Sequence, residues 1–294
     1  MHFDQLIEEP SVPDEAVLAA LEPLTLADVQ GYAKDLYRRV YVQGLVSGNL
    51  TPEDAGEMVQ RLLGRLGARP LPRAEWVRET PRVLPGGSDY TFTDRLDVDN
   101  SLTDVVYEAG FSAPRLRGAL RIIARPLGES YYFNLRTQQQ LGYAVFAGLG
   151  QSERMLYLYL LVQSGNFGAD LLQQRTDAFI TRFIGEFGKL PRESFDAYRK
   201  AVIEAELQRE RSPSQAARQL FYLAFRLDGD WDYASEEIRA VQALRQEDVT
   251  GVLRRTLAGP QRRRLVIRLI ARGRAVPAPR GQPLKLPSRI PAAG

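Results

Sequence analysis

Cysteine is absent from the 294 residues, which excludes disulfides, thiolate metal sites and cysteine nucleophiles. Histidine is almost absent as well: the only one is His2, at the start of the chain. A Ser-His-Asp triad, or a zinc site of the H-E-x-x-H kind or its inverse, has no interior imidazole to be built from. Long apolar runs are also missing. The longest stretch without a charge, Thr137–Ser152, holds three Gly and four Gln, so it is shorter and more polar than the ~20 apolar residues of a membrane helix. A soluble chain with no membrane partner is expected. Residues 1–11 have no basic leader and carry Asp4, Glu8 and Glu9, so the cytoplasm is the expected compartment, with the periplasm the alternative if the chain is an excised piece. Phosphate and dinucleotide loops fail on spacing: Gly185-Glu186-Phe187-Gly188-Lys189-Leu190 lacks the hydroxyl, and Glu153 stands where the third glycine after Gly148 and Gly150 belongs.

What is present is ordinary globular composition, 44% apolar and 26% charged, in a length that predicts about two domains. Thirty-nine basic against 36 acidic residues are too balanced to imply a nucleic-acid partner. Arginines thicken late, at 262, 263, 264, 268, 272, 274 and 280. That cluster reads either as a phosphate-binding surface or as a charged edge strand, since apolar residues alternate through 265–270 and charge protects an edge.

Gly67–Pro85 holds four prolines and reads as a linker, and from Val276 onward prolines recur too often to pack, so an extended tail is expected. Between these, periodicity predicts helices over 14–21, 25–37 and 51–66 with a strand at 40–46. Strands follow in 88–110, helices at 114–126 and 129–140, strands at 143–148 and 154–163, a helical block from 167 to 258 and a strand over 263–271. Asp28-Val29-Gln30-Gly31 is echoed by Asp248-Val249-Thr250-Gly251, an offset of 220 residues, each copy followed by a helix end and an apolar strand. A duplicated unit of that length is the better reading, with one complete copy preceded by the end of another.

The most informative stretch is Leu135-Arg136-Thr137-Gln138-Gln139-Gln140-Leu141-Gly142-Tyr143-Ala144-Val145, which runs from a helix end through Gly142 into an apolar strand. It brings a permanent forked cation near a phenol donor at the mouth of a sheet, and such donors suit the carbonyl of a bound peptide or the oxyanion formed when it is attacked. The alternative is structural: Arg136 caps the helix C-terminus and Tyr143 is half-buried.

L-R-T-x-x-Q-L-G-Y-x-V resembles the signature of the pitrilysin and insulin-degrading-enzyme family, the inverzincin zinc metallopeptidases. The likeness extends from Thr25–Thr51, with its Ser47-Gly48-Asn49 turn, through Leu160–Ser164 to Gly273. The resemblance implies an α+β fold, an antiparallel-rich sheet packed by helices. On it, 1–66 would end one pitrilysin-type domain, 67–86 link, 87–275 form a complete one, and 276–294 a proline-rich tail. It implies the non-zinc C-terminal half of a zinc metalloendopeptidase, not active alone. Its expected partners are a zinc-bearing half, peptide substrate and a second copy of itself. The cofactor, zinc, is expected in the partner and none here. Carried over, Tyr143 would hydrogen-bond the attacked carbonyl, Arg136 would hold a neighbouring carbonyl, and Gly142 would let the backbone turn between them. The rival within the family is an inert scaffold subunit.

Overall fold

The computed structural model describes residues 3–208, 212–278 and 280–286; His2 and the last eight residues lie outside them. Along the chain come helices α1 (Phe3–Ile7), α2 (Asp14–Leu21), α3 (Leu26–Leu36) and α4 (Pro52–Leu66). Strands β1 (Asp89–Arg95) and β2 (Ser101–Phe111) precede α5 (Pro114–Tyr131), and β3 (Ala144–Ser152) and β4 (Met155–Ser164) follow it. Then come α6 (Ala169–Phe187), α7 (Arg192–Glu206), α8 (Pro213–Phe221), α9 (Tyr233–Ala243) and α10 (Gln246–Ala258), and finally β5 (Arg263–Ile270) and β6 (Gln282–Pro283). No helix among the described residues is long and apolar enough to cross a membrane.

Two compact units result. One contains the residues up to Glu9 with Pro81–Gln208 and Ala234–Leu286. Its six-stranded sheet has the order β6-β1-β5-β2-β4-β3, antiparallel from β5 through β3 and parallel where β1 meets β5 and β6. Alternate residues of β2 serve two cores, which is why it reads as a nearly unbroken apolar run. Val105 and Tyr107 pack with Leu120 and Ile123 of α5 and Phe179 and Phe183 of α6. Val106 lies on the other face with Leu265, Ile267 and the α1 residue Leu6. Arg117 and Glu237, both buried, pair at 2.9 Å and tie α5 to α9.

The second unit comprises Pro10–Thr80 with residues 212–233. Thr25 and Thr51 close reciprocal capping boxes with Asp28 and Asp54, and Pro52 at the first helical position suits the start of α4. None of α2, α3 or α4 buries a residue; Leu18, Leu26, Tyr32 and Leu62 are all more than half exposed.

Four expectations change. The strand foreseen at 40–46 shrinks to Arg39–Val40, paired with Arg69–Pro70, because no longer strand lies beside it to take its hydrogen bonds. The two helices foreseen at 114–126 and 129–140 are one: α5 runs past Pro126 and widens into a π-helical turn over Tyr132–Gln138. The arginine-rich strand is not an edge. β5 lies between β1 and β2, and the charge of Arg264 is met by Asp89 at 2.9 Å and Asp177 at 2.5 Å. Within the proline-rich segment, Gln282–Pro283 pairs with Tyr90–Thr91 at the sheet edge, where the missing Pro N–H costs least.

Candidate functional site

The site grows from the end of α5. Past Tyr131 the backbone closes wider rings, with Gln139 N donating to the Asn134 carbonyl at 3.0 Å and Leu141 N to that of Leu135 at 2.9 Å. The buried Asn134 side chain holds this turn, donating to Gln138 Oε1 and accepting from Gln139 Nε2, each at 2.8 Å. Leu135 and Leu141 anchor it in the core. Gln140 then takes a left-handed φ of 52°, and this residue reverses the chain. Gly142 is needed for a different reason than turning: a Cβ there would stand 1.9 Å from the Gln163 carbonyl oxygen, so only glycine lets the chain approach β4.

Because the chain reverses at Gln140, Arg136 and Tyr143 meet, although an uninterrupted helix would have set them two turns apart. The Arg136 guanidinium lies 5.4 Å from the centre of the Tyr143 ring, within cation–π range. Its Nη1 donates to the Gly142 carbonyl at 3.1 Å. Arg136 therefore fixes the peptide unit from which Tyr143 departs, and it serves backbone beyond the helix rather than the helix terminus itself. Tyr143 is not half-buried but 87% exposed, at the head of β3, the outermost strand of the sheet. Phe146, three residues on, is also exposed. The arrangement offers a hydroxyl donor to solvent from a backbone held on the carbonyl side by a cation and on the strand side by β4.

Sequence reasoning missed Asn134. Its signal was the glutamine pair at 138 and 139, four and five residues later, the spacing a π-turn brings together. No cluster of three or more His, Asp or Glu able to hold a metal ion occurs among the described residues.

Comparison with known proteins falls on this same stretch. The family described as "PQQ synthase PqqF-like, C-terminal lobe domain 4" matches residues 122–221. The insulin-degrading enzyme of Drosophila melanogaster is 21% identical over 274 residues, which is 90% of this chain and 28% of that protein. A nardilysin-like protein of Arabidopsis thaliana is 24% identical over 274 residues, 90% of this chain and 27% of its own length. The chain thus spans about a quarter of the curated relatives it matches. Among solved structures, pitrilysin superposes with a TM-score of 0.78 at 21% identity, covering 89% of this chain and 28% of that one. The peptidase M16 inactive domain from Pseudomonas fluorescens gives 0.59 at 15% identity, covering 88% and 61%. The mixed helix-and-sheet fold is that of these proteins. The family match includes the Leu135–Val145 segment, and the chain is similar, in sequence and in fold, to the C-terminal regions of the pitrilysin and insulin-degrading-enzyme family.

Proposed function

We propose that this chain is the peptide-binding half of a zinc metalloendopeptidase, as an excised piece or a subunit of its own, paired with a zinc-bearing half and inactive without it. In this reading 1–66 closes one pitrilysin-type domain, 87–275 forms the next, and peptide is held in the chamber between the two halves. The observation that carries it is Tyr143: a phenol 87% exposed, on a segment fixed by Arg136 and by the close approach of Gly142 to β4. An exposed, rigidly held hydroxyl suits the carbonyl of a peptide and gains strength as negative charge develops on that oxygen. Arg136, its Nη1 already on Gly142, has further donors for a neighbouring substrate carbonyl. A zinc ion held by the partner would supply Lewis acidity and an activated water there.

The exposed apolar side chains of α2–α4 support the need for a partner, because a surface patch of that kind ordinarily marks an interface. They would serve an inert scaffold subunit equally well, and that is the second reading. Recombining the purified chain with a co-purified zinc-bearing half tests both. Peptidase activity that needs both halves, and falls when Tyr143 is changed, supports the proposal; activity of the zinc-bearing half unaffected by this chain refutes it.

A further inference from the structure

Arg268 is a charged side chain of the sheet with two buried nitrogens that find no partner among the described residues. It is fully buried, yet only its Nη1 finds an acceptor, the Ala278 carbonyl at 3.1 Å; Nε and Nη2 have no partner among the described residues. Its neighbour in the same strand, Arg264, has two carboxylates, whereas Arg268 has none in contact. Burial pulls its pKa below the ordinary arginine value, the electrostatic sign of an under-compensated cation, with Asp170 nearby pulling the other way. Buried donors of this kind are rare and call for an acceptor.

The position of the guanidinium is fixed by register. Arg268 stands directly opposite Thr103 of β2, and Thr103 Oγ1 donates to the Ala169 carbonyl in the first turn of α6. The orphaned donors therefore lie beside the N-terminus of a 19-residue helix whose cap, Gly168, offers no side chain to its amides. Two further arginines come to the same place. Arg274 Nη2 donates to the Gly165 and Asn166 carbonyls just before the helix, at 3.1 and 2.8 Å. Arg280 pairs with Asp170 at 3.3 Å, half-exposed at the rim. Three arginines thus gather at the first turn of α6, where Asp170 and, further along the helix, Asp177 are the carboxylates acting on Arg268.

We propose that the N-terminus of α6, with Arg268 at the back and Arg274 and Arg280 at the rim, binds a phosphate group. Its oxygens accept from the first-turn amides and from the unpaired nitrogens of Arg268, and Arg280 turns from Asp170 to the incoming anion. This site uses none of Arg136, Gly142 and Tyr143 and does not depend on the peptidase reading.

The test uses the full chain. Melting temperatures are compared in sodium phosphate and in sodium chloride at matched ionic strength and pH, with ribose 5-phosphate as a third arm. Phosphate at ten times its Kd should raise the Tm by about 2–4 °C over chloride. An equal rise with ribose 5-phosphate assigns the site to phosphate esters, and a rise with inorganic phosphate alone assigns it to the free ion. Arg268→Met should melt higher than the parent in chloride, since it removes a buried unpaired charge, and should lose the phosphate increment. Arg280→Gln, at a half-exposed position, should keep the parent's Tm in chloride and weaken phosphate binding about tenfold. Equal melting of the parent in phosphate and chloride overturns the proposal. So does an Arg268→Met chain that keeps the increment, or that melts lower or fails to fold in chloride.

Discussion

Changing Tyr143 to phenylalanine removes one oxygen and nothing else, and the structure says where its effect must fall. The side chain is 87% exposed, so no core area is lost. Its ring stays 5.4 Å from the Arg136 guanidinium, and phenylalanine keeps most of that contact. Stability should therefore move by no more than ~0.5 kcal/mol, the usual scale for surface substitutions. If the hydroxyl polarises the attacked carbonyl, the loss is of one oxyanion donor, which costs on the order of 10²–10³ in turnover, or about 2.7–4 kcal/mol of transition-state stabilisation. The assay is steady-state cleavage of a quenched fluorescent peptide by the chain recombined with its zinc-bearing half, read beside a urea melt of the chain alone. A fall in kcat with KM and urea midpoint unchanged is the expected result. A variant that melts like the parent and cleaves like the parent refutes the assignment of Tyr143. A variant that loses stability refutes the inference from exposure.

Other consequences can be read as directly. Arg136→Ala should raise KM and also cost about 1 kcal/mol of stability, because the Gly142 carbonyl loses its donor; a melt and a KM determination together check it. Gly142→Ala places a methyl 1.9 Å from a backbone oxygen and should destabilise by ~1–3 kcal/mol or more in a urea titration. Asp104, buried in the sheet, is raised by desolvation from 3.8 to about 7, so the folded chain binds the extra proton between those values. Its contribution is therefore present at low pH and lost as pH rises toward 7, and Asp104→Asn should flatten that decline in melts taken from pH 5 to 8. Glu237→Gln leaves Arg117 buried with a neutral partner and should cost about 3–5 kcal/mol, measurable as a lowered urea midpoint.

Five of the six strands of the sheet were legible because each carries its own signal, and only the short edge strand Gln282–Pro283 was hidden in the proline-rich segment. β2 is apolar on both faces, β4 alternates, and β5 is apolar between arginines. What the sequence concealed was adjacency. Nothing local says that β5 enters between β1 and β2, since that placement depends on pairing with residues some 165 positions away, such as Leu102 with Leu269. Charge alternation in β5 therefore read as edge protection, when Arg264 is instead neutralised by Asp89 and Asp177 from two other elements. The short strand at 40–46 failed for the complementary reason: its pattern was right, but the described chain supplies only Arg69–Pro70 to pair with it.

At the site, residue identity was legible and geometry was not. Counting seven positions from Arg136 to Tyr143 along a helix gives two turns of separation, and the true relation is a contact. The difference lies in three local events. The π-turn held by Asn134 ends the helix early, and Gln140 pays the strain of a left-handed φ that an unbranched side chain tolerates better than a β-branched one. Gly142 then admits the backbone against Gln163. Each event depends on a side chain or its lack at one position, so altering any of the three should separate the arginine from the phenol without touching either. That makes Asn134 the most telling of them. Asn134→Leu keeps the residue's size and burial and removes both hydrogen bonds to Gln138 and Gln139. If the π-turn positions the pair, this variant should lose turnover to nearly the extent of Tyr143→Phe while both functional side chains remain, and a change confined to stability would show that the turn merely packs.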